Sequence, residues 1–321
     1  MRIAAFILSL CAWCSGAFAQ AVNYPSRVIT MVVGFPAGGA TDVTARLIAE
    51  KLSEKFGQRV IVENRVGANG LIGTLAVANA APDGYTLVMG GVNTHGMYDA
   101  LVKSPRYDSL KSFTPITLTA RIPIAFVVHP SLPAESLADL LRLAKERPGQ
   151  FSYGSSGTGG PHHLAMELFK MQAGVNIQHV PYKGGAQQLN DLLGGHIKIG
   201  SIGLPPALPH IQTGILRALA LTSGERSSFL PELPTVAESG LPGFGVNYWL
   251  GLLGPAGMPA PVVEKLNREV SEILDRPDVK ASLAKQGVEP LTSTPSEFRT
   301  LIGEEIGRWR KVGEAAGLAL E

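Results

Sequence analysis

The sequence contains very little cysteine, few aromatic residues and no excess of either charge. Its only cysteines, Cys11 and Cys14, lie within the first 19 residues, so the chain beyond them has no thiol. That part of the chain therefore excludes a disulfide, a thiolate metal site and a cysteine nucleophile. Without Arg2 there are 27 basic and 26 acidic side chains. Such a balance gives no basic surface for nucleic acid and no polybasic patch for a membrane.

Long hydrophobic runs are also absent beyond the amino terminus. The chain starts with Met1-Arg2, continues with an apolar run over 4–13 and then carries the small-residue pattern Ala17-Phe18-Ala19. This order is typical of a cleaved secretory signal peptide, and the run is too short to span a bilayer. We therefore expect a signal peptide over 1–19 and an exported, periplasmic protein that begins near Gln20.

Strands and helices are predicted to alternate over 27–89, and the alternation restarts near Phe126. This pattern predicts two α/β units, each with a largely parallel sheet between layers of helices. We place the first lobe at 20–123 plus 246–321 and the second lobe at 124–245. The carboxy-terminal helices are expected to pack back onto the first lobe.

Two glycine-rich loops each follow a predicted strand and lead into a predicted helix. The first spans Pro36 to Asp42, with Thr41 or Asp42 as the helix cap, and the second spans Ser155 to His163, with a helix from Pro161 to Ala173. The first N–H groups of a helix lack partners and carry partial positive charge, and glycine lets an anion approach them. One such loop in each lobe predicts a carboxylate site between the lobes. Ordinary turn chemistry is the alternative for either loop alone.

The motifs of the main enzyme classes are missing from these loops. Neither contains a Walker A or a G-x-G-x-x-G pattern, no H-E-x-x-H occurs, and Gly154 to Gly157 does not match G-x-S-x-G. His162 and His163 are adjacent, so on a helix they point about 100° apart, which does not suit one metal ion. We therefore expect no enzymatic activity, no cofactor and no metal. A Ser156–His163–Asp42 hydrolase is the enzymatic alternative, although no spacing supports it.

Three further segments stand out, and the first two of them lie where an open α/β sheet binds ligands, beyond the carboxyl ends of its strands. They are Asn93-Thr94-His95, the segment from Pro181 to Gly185 that contains Tyr182, and the aromatic stretch at Tyr248 and Trp249. The last segment is a candidate crossover strand between the lobes. Simple packing is the alternative for each of the three.

Many short segments along the chain match one known family in order and spacing. They are Tyr24-Pro25-Ser26-Arg27, Ala37 to Asp42, Val62-Glu63-Asn64-Arg65, Ala81 to Leu87, His179 to Gly184, Leu192 to Gly195, Leu216 to Ala220, Leu233 to Glu238 and Gly254 to Gly257. Through these segments the chain resembles the Bug-type periplasmic receptors of tripartite tricarboxylate transporters.

The resemblance implies a two-lobed periplasmic binding-protein fold of type II, with two crossover strands and a ligand cleft between the lobes. It implies a receptor that binds a small organic carboxylate, largely through backbone amides, for uptake by a membrane permease. A sensor protein in place of the permease is the alternative partner. We expect a monomer and no nucleic-acid partner.

The residues implied to contact the ligand lie on the two loops and on the segments that flank the cleft. They are Phe35, Ala37, Gly38, Gly39, Thr41, Asp42, Thr94, Ser156, Gly157, Thr158, Gly159, His163, Tyr182 and Ile202. One position departs from the family pattern, because many relatives carry an aspartate-asparagine pair where this chain has Ile202-Gly203. The change removes a partner for an ammonium group. We therefore expect a ligand without an amino group and with an apolar or aromatic body.

Overall fold

The computed structural model describes residues 24–318, and the expected signal peptide lies outside this range. The strands are β1 (Ile29–Val33), β2 (Val60–Asn64), β3 (Thr86–Gly91), β4 (Phe113–Ile122), β5 (Ile124–Val128), β6 (Ser152–Ser155), β7 (Gln178–Pro181), β8 (Ile199–Gly203), β9 (Arg217–Leu221), β10 (Tyr248–Pro255) and β11 (Glu289–Pro290). The helices are α1 (Ala40–Phe56), α2 (Leu71–Ala78), α3 (Tyr98–Leu101), α4 (Leu137–Glu146), α5 (Pro161–Ala173), α6 (Gly185–Leu193), α7 (Leu204–Gln212), α8 (Ala260–Asp275), α9 (Pro277–Lys285) and α10 (Pro295–Ala315). Within this range no helix is both long and apolar enough to cross a membrane.

The first lobe is built on a six-stranded sheet with the order β11-β4-β10-β3-β1-β2. Strand β1 is parallel to β2 and β3, whereas β10 is antiparallel to β3 and β4. Because side chains alternate along a strand, Met31 and Val33 pack with Ile48 of α1 on one face. Val32 joins the core on the opposite face. The sheet is therefore buried on both sides, as the β-branched sequence of β1 predicts.

The second lobe is built on a five-stranded sheet with the order β7-β6-β8-β5-β9. Strand β6 is parallel to β7 and β8, and β5 is antiparallel to β8 and β9. Phe126 of β5 packs edge-on against Phe169 of α5, with ring centroids 5.2 Å apart. This contact holds α5, and with it the loop that precedes α5, against the sheet. The prediction of two α/β units is confirmed, but neither sheet is largely parallel as expected, because β10 and β5 run antiparallel to both of their neighbours.

Two stretches of chain connect the sheets. The first is Pro123, which alone separates β4 from β5. The second leads from β9 to β10, and β10 pairs along β4 from Tyr248 to Pro255. The sequence analysis assigned no strand to β4, which contains Pro115, a residue type that is disfavoured inside a sheet. Pro115 is tolerated here because it lies at a register shift opposite Leu253. The lobe boundaries near 123 and 245 stay predictions.

Helix α10 joins elements of both lobes. It contacts the π-helical turn at Asn93–Met97 in the first lobe and α5 in the second. Its start is fixed by a reciprocal capping box between Thr294 and Glu297. Phe298 then packs edge-on against Trp249 of β10, with ring centroids 5.3 Å apart. Helix α10 therefore packs on the first lobe and also braces the second.

We predict that Phe298→Ala lowers the free energy of unfolding by about 3–5 kcal/mol, because the fully buried ring leaves a cavity against Trp249. Urea unfolding followed by circular dichroism measures this loss. Thr300→Ala, at an exposed position of the same helix, is the matched control and should change stability by less than about 0.5 kcal/mol. Equal losses in the two variants would contradict the bracing role of Phe298.

Candidate functional site

A cleft of about 680 Å³ lies between the two lobes. This volume falls within the roughly 300–1,000 Å³ that is usual for small-molecule sites. One wall comes from the π-helical turn and its flanking segments in the first lobe, and the other from the loop between β6 and α5. The lining residues are Ala68, Asn69, Leu71, Asn93, Thr94, Met97, Tyr98, Val102, Ser104, Arg106, Tyr107, Ser156, Gly157, Thr158, Gly159, Gly160, Pro161, His162 and Tyr248.

The loop from Ser156 to Gly160 forms the wall of the second lobe. Gly157 and Gly159 have φ angles of 141° and 74°, which side chains other than glycine rarely adopt. Hydrogen bonds within the loop secure this shape. The Gly157 N–H donates to Ser155 Oγ over 3.3 Å, and the Gly159 N–H donates to His163 Nδ1 over 3.0 Å.

The N–H groups of Thr158 and Gly160 remain available. Neither forms a hydrogen bond to any group within residues 24–318. Both residues line the cleft at the start of α5, whose first residue, Pro161, has no N–H. The partial positive charge of the helix start adds to these two donors. This part of the cleft can therefore bind an anionic group through the backbone.

His162 lies beside these donors. Its Nδ1 is 2.6 Å from Ser156 Oγ, and its ring meets Tyr248 edge-on with centroids 6.1 Å apart. Burial lowers the pKa of His162 to about 4, so the ring is neutral near pH 7. Its Nε2 is buried without a hydrogen-bond partner and faces Gly203. Because no carboxylate orients this ring, the serine–histidine pair lacks the third group that a hydrolase needs.

His163 supports the loop from beneath and does not line the cleft. Its ring stacks on His179 with centroids 3.8 Å apart, and its Nε2 is 3.7 Å from Glu167 Oε1. Burial lowers the pKa of His163 below its ordinary value. Burial and the neighbouring His163 ring lower the pKa of His179 to about 4. His179 Nε2 in turn lies 2.7 Å from Ser155 Oγ. His163 is therefore committed to holding Gly159 in place.

The first glycine-rich loop lies outside the residues that line the cleft. The sequence analysis was wrong about the start of α1, because Gly39 occupies the cap position and no side chain caps the helix. The Asp42 carboxylate instead accepts hydrogen bonds from the Gly38 N–H, Arg46 Nε and Asn64 Nδ2 at 2.8–2.9 Å. Burial opposes ionisation, but these donors hold the pKa of Asp42 below its ordinary value. With Asp42 and His163 committed elsewhere, the Ser156–His163–Asp42 triad does not form.

Parts of the first loop nevertheless support the wall of the cleft. Phe35 and Thr94 meet over Gly70, where an added Cβ would lie 3.1 Å from the Phe35 ring and 2.8 Å from Thr94 Cγ2. Desolvation raises the pKa of Tyr248, and the neighbouring Thr41 hydroxyl opposes that shift. Tyr248 lines the cleft, so Thr41 contacts a lining residue without lining the cleft itself. Ala37, Gly38 and Gly39 are exposed.

Thr94 lines the cleft from the first lobe. Its Oγ1 lies 2.8 Å from His95 Nδ1 and accepts the Gly91 N–H over 3.2 Å. The Tyr107 hydroxyl donates to the Thr94 carbonyl oxygen over 2.6 Å. Burial lowers the pKa of His95 to about 3. This network fixes the π-helical turn. The sequence analysis indicated this turn only through the position of Asn93-Thr94-His95 directly after a predicted strand.

Tyr182 and Ile202 do not line the cleft. The Tyr182 hydroxyl donates to Asp191 Oδ2 over 2.8 Å, and its burial raises its pKa to about 12. Ile202 pairs with Ala125 in the sheet, and its side chain is buried with Leu204 in the core of the second lobe.

Several lining residues were missed by the sequence analysis. They include Met97 in the π-helical turn, Tyr98 in α3, and Val102 and Arg106 in the segment before β4. The segment over 98–107 carries no recognisable motif, so only the fold reveals its position. No group of three or more His, Cys, Asp or Glu side chains suitable for a metal occurs between residues 24 and 318.

The sequence matches known receptors over most of its length. A family model described as "Tripartite tricarboxylate transporter family receptor" matches residues 44–318. Protein BugT of Bordetella pertussis (strain Tohama I / ATCC BAA-589 / NCTC 13251) is 38% identical over 303 residues, which are 94% of this chain and 93% of BugT.

Solved structures give the same result. The chain is 39% identical to R. palustris Rpa4515 with adipate, with a TM-score of 0.79 over 92% of this chain and 99% of that one. It is 33% identical to MatC from Rhodopseudomonas palustris with bound malate, with a TM-score of 0.74 over 90% of this chain and 99% of that one. These similarities confirm the predicted two-lobed binding-protein fold.

We predict that stability falls as pH drops from about 6.5 towards 4, because the unfolded state then binds protons that buried His95 and His162 do not. The free energy of unfolding should fall by at most about 1.4 kcal/mol per pH unit for each histidine. His162→Gln should reduce the pH dependence of the free energy of unfolding by the contribution of one histidine. Urea titrations at a series of pH values test it, and an unchanged slope in the variant would contradict the assignment to His162.

Proposed function

The chain belongs to the family of tripartite tricarboxylate transporter receptors, and on that premise we propose that it captures a small carboxylate without an amino group in its cleft. The family consists of binding receptors, which confirms the prediction of a binding protein rather than an enzyme. The identity of the ligand and its contacts are our proposal.

One observation carries this proposal. The N–H groups of Thr158 and Gly160 have no hydrogen-bond partner in the described part of the chain and lie at the start of α5, on the wall of the cleft. Hydrogen bonds to a charged acceptor are stronger than those to a neutral one, by roughly a factor of two. A carboxylate would satisfy both donors and also meet the positive end of the helix. Neutral His162 and the Ser156 hydroxyl complete the surroundings without adding a charge.

The composition of the cleft supports a ligand that lacks an amino group. No aspartate or glutamate occurs among its lining residues, so an ammonium group would have no ionic partner there. Leu71, Met97 and Val102 supply an apolar surface for the ligand body. The solved relatives carry adipate and malate, which also lack an amino group. The reason first given, the Ile202-Gly203 departure, is less direct because Ile202 lies in the core.

We extend the proposal to the cellular role. A signal peptide over 1–19 would export the chain to the periplasm, where it would act as a monomer. Closure of the lobes over the ligand would then report the loaded state to a membrane permease. If deletion of the gene abolished a transcriptional response to the ligand but left uptake intact, a sensor would be the partner instead.

We predict micromolar binding of adipate, malate or an aromatic carboxylate, measured by isothermal titration calorimetry on protein recovered from the periplasm. The corresponding amides, and aspartate and glutamate, should bind at least about tenfold more weakly because charge-assisted bonds are lost or the ammonium is unpaired. Amides that bind as tightly as the acids would exclude a carboxylate site.

A pair of variants locates the site. Thr158→Pro removes one of the available N–H groups and should weaken carboxylate binding about tenfold, whereas Thr158→Ala retains that N–H and should bind within about threefold of the wild type. Thermal midpoints of both variants check that the loop remains folded. Equal affinities for the two folded variants would place the carboxylate elsewhere.

A further inference from the structure

Arg106 is the one residue with a full charge among those that line the cleft in the described part of the chain. It lies on the first lobe, whereas the available N–H groups of Thr158 and Gly160 belong to the second. The cleft therefore has an anion-binding group on each of its facing walls. The proposed carboxylate accounts for the second-lobe group alone.

The charge of Arg106 is not neutralised by the nearby acids. Asp99 accepts the Ser109 N–H over 2.7 Å, and Asp108 pairs with Lys111 over 3.0 Å. Arg106 itself is exposed and makes no ion pair with any residue between 24 and 318. Since arginine remains protonated at all physiological pH values, it presents a permanent cation to the cleft.

The backbone of Arg106 is held by the aromatic residues beneath it. Its N–H donates to the Tyr98 hydroxyl over 2.7 Å. Tyr98 stacks on Tyr107 with ring centroids 4.3 Å apart, and the Tyr107 hydroxyl donates to the Thr94 carbonyl oxygen. The segment that carries Arg106 is thus tied to the π-helical turn, which reduces the ordering that binding would require.

The first-lobe wall also carries apolar side chains. Met97 and Val102 line the cleft on the same lobe as Arg106. An unbranched aliphatic chain between two carboxylates suits a cleft with backbone donors on one wall and with apolar side chains and a cation on the other. A monocarboxylate would leave Arg106 without a partner.

We propose that Arg106 is the specificity-determining residue that binds the second carboxylate of a dicarboxylate, with the first carboxylate at Thr158 and Gly160. This inference rests on the proposed carboxylate function, for which two solved relatives carry dicarboxylates, and it adds the residue of this chain that would bind the second carboxylate. The planar guanidinium can donate two parallel hydrogen bonds to a carboxylate, which a point charge cannot. Such a ligand would link the two lobes directly and so favour their closed arrangement.

Calorimetric titration with paired acids tests the proposal. The probes are unbranched dicarboxylates from succinate to suberate, each with the monocarboxylate of equal chain length from butyrate to octanoate. For the best dicarboxylate, Arg106→Gln should weaken binding about 10- to 100-fold, whereas the matched monocarboxylate should change by less than about threefold. Arg106→Lys should recover part of the loss. Lys103→Gln, an exposed cation of the same segment that does not line the cleft, should leave both affinities unchanged.

The outcomes separate the two proposals. Suppose that carboxylates bind the wild type, and that the Arg106→Gln variant keeps its thermal midpoint and binds the dicarboxylate as tightly as the wild type does. The role assigned to Arg106 is then wrong, while the carboxylate function stands. Equal losses in Arg106→Gln and Lys103→Gln would mean only a general electrostatic effect and would also overturn the assignment. If no acid of either series binds the wild type, the carboxylate function fails and the Arg106 proposal fails with it.

Discussion

The hydrogen bond from the Gly159 N–H to His163 Nδ1 fixes the part of the protein on which binding depends. It holds the loop before α5 in a shape that only glycine adopts readily and leaves the neighbouring Thr158 and Gly160 N–H groups directed to no other partner. The stack of His163 on His179, and the contact of His179 with Ser155, anchor this bond to the sheet. Buried, neutral imidazoles thus position backbone donors, and the chain needs no charged side chain on this wall.

The same loop is connected to the first lobe through β10 and α10. Tyr248 of β10 contacts His162 on one side and lies beside Thr41 on the other, so it links both glycine-rich loops. Helix α10 contacts α5 and the π-helical turn, and these two elements carry the facing walls of the cleft. A movement between the lobes must therefore be accommodated at the strand crossings and along α10.

The sequence predicted features that depend on local chemistry and missed those that depend on tertiary contacts. Helix α5 runs from Pro161 to Ala173 as predicted, because proline at the first position and the glycine-rich loop are local signals. The start of α1 was misplaced because Asp42 binds Arg46 and Asn64 instead of capping the helix. Arg106 could not be predicted, since the segment around it has no motif and only the Tyr98–Tyr107 stack brings it to the cleft.

The crystal structure of the complex with the tightest-binding dicarboxylate tests the central claim most directly. The account predicts one carboxylate within hydrogen-bonding distance of the Thr158 and Gly160 N–H groups, with His163 still accepting the Gly159 N–H. It predicts the other carboxylate at the Arg106 guanidinium. A ligand bound with both carboxylates away from the start of α5, or bound outside the cleft between the lobes, would contradict it.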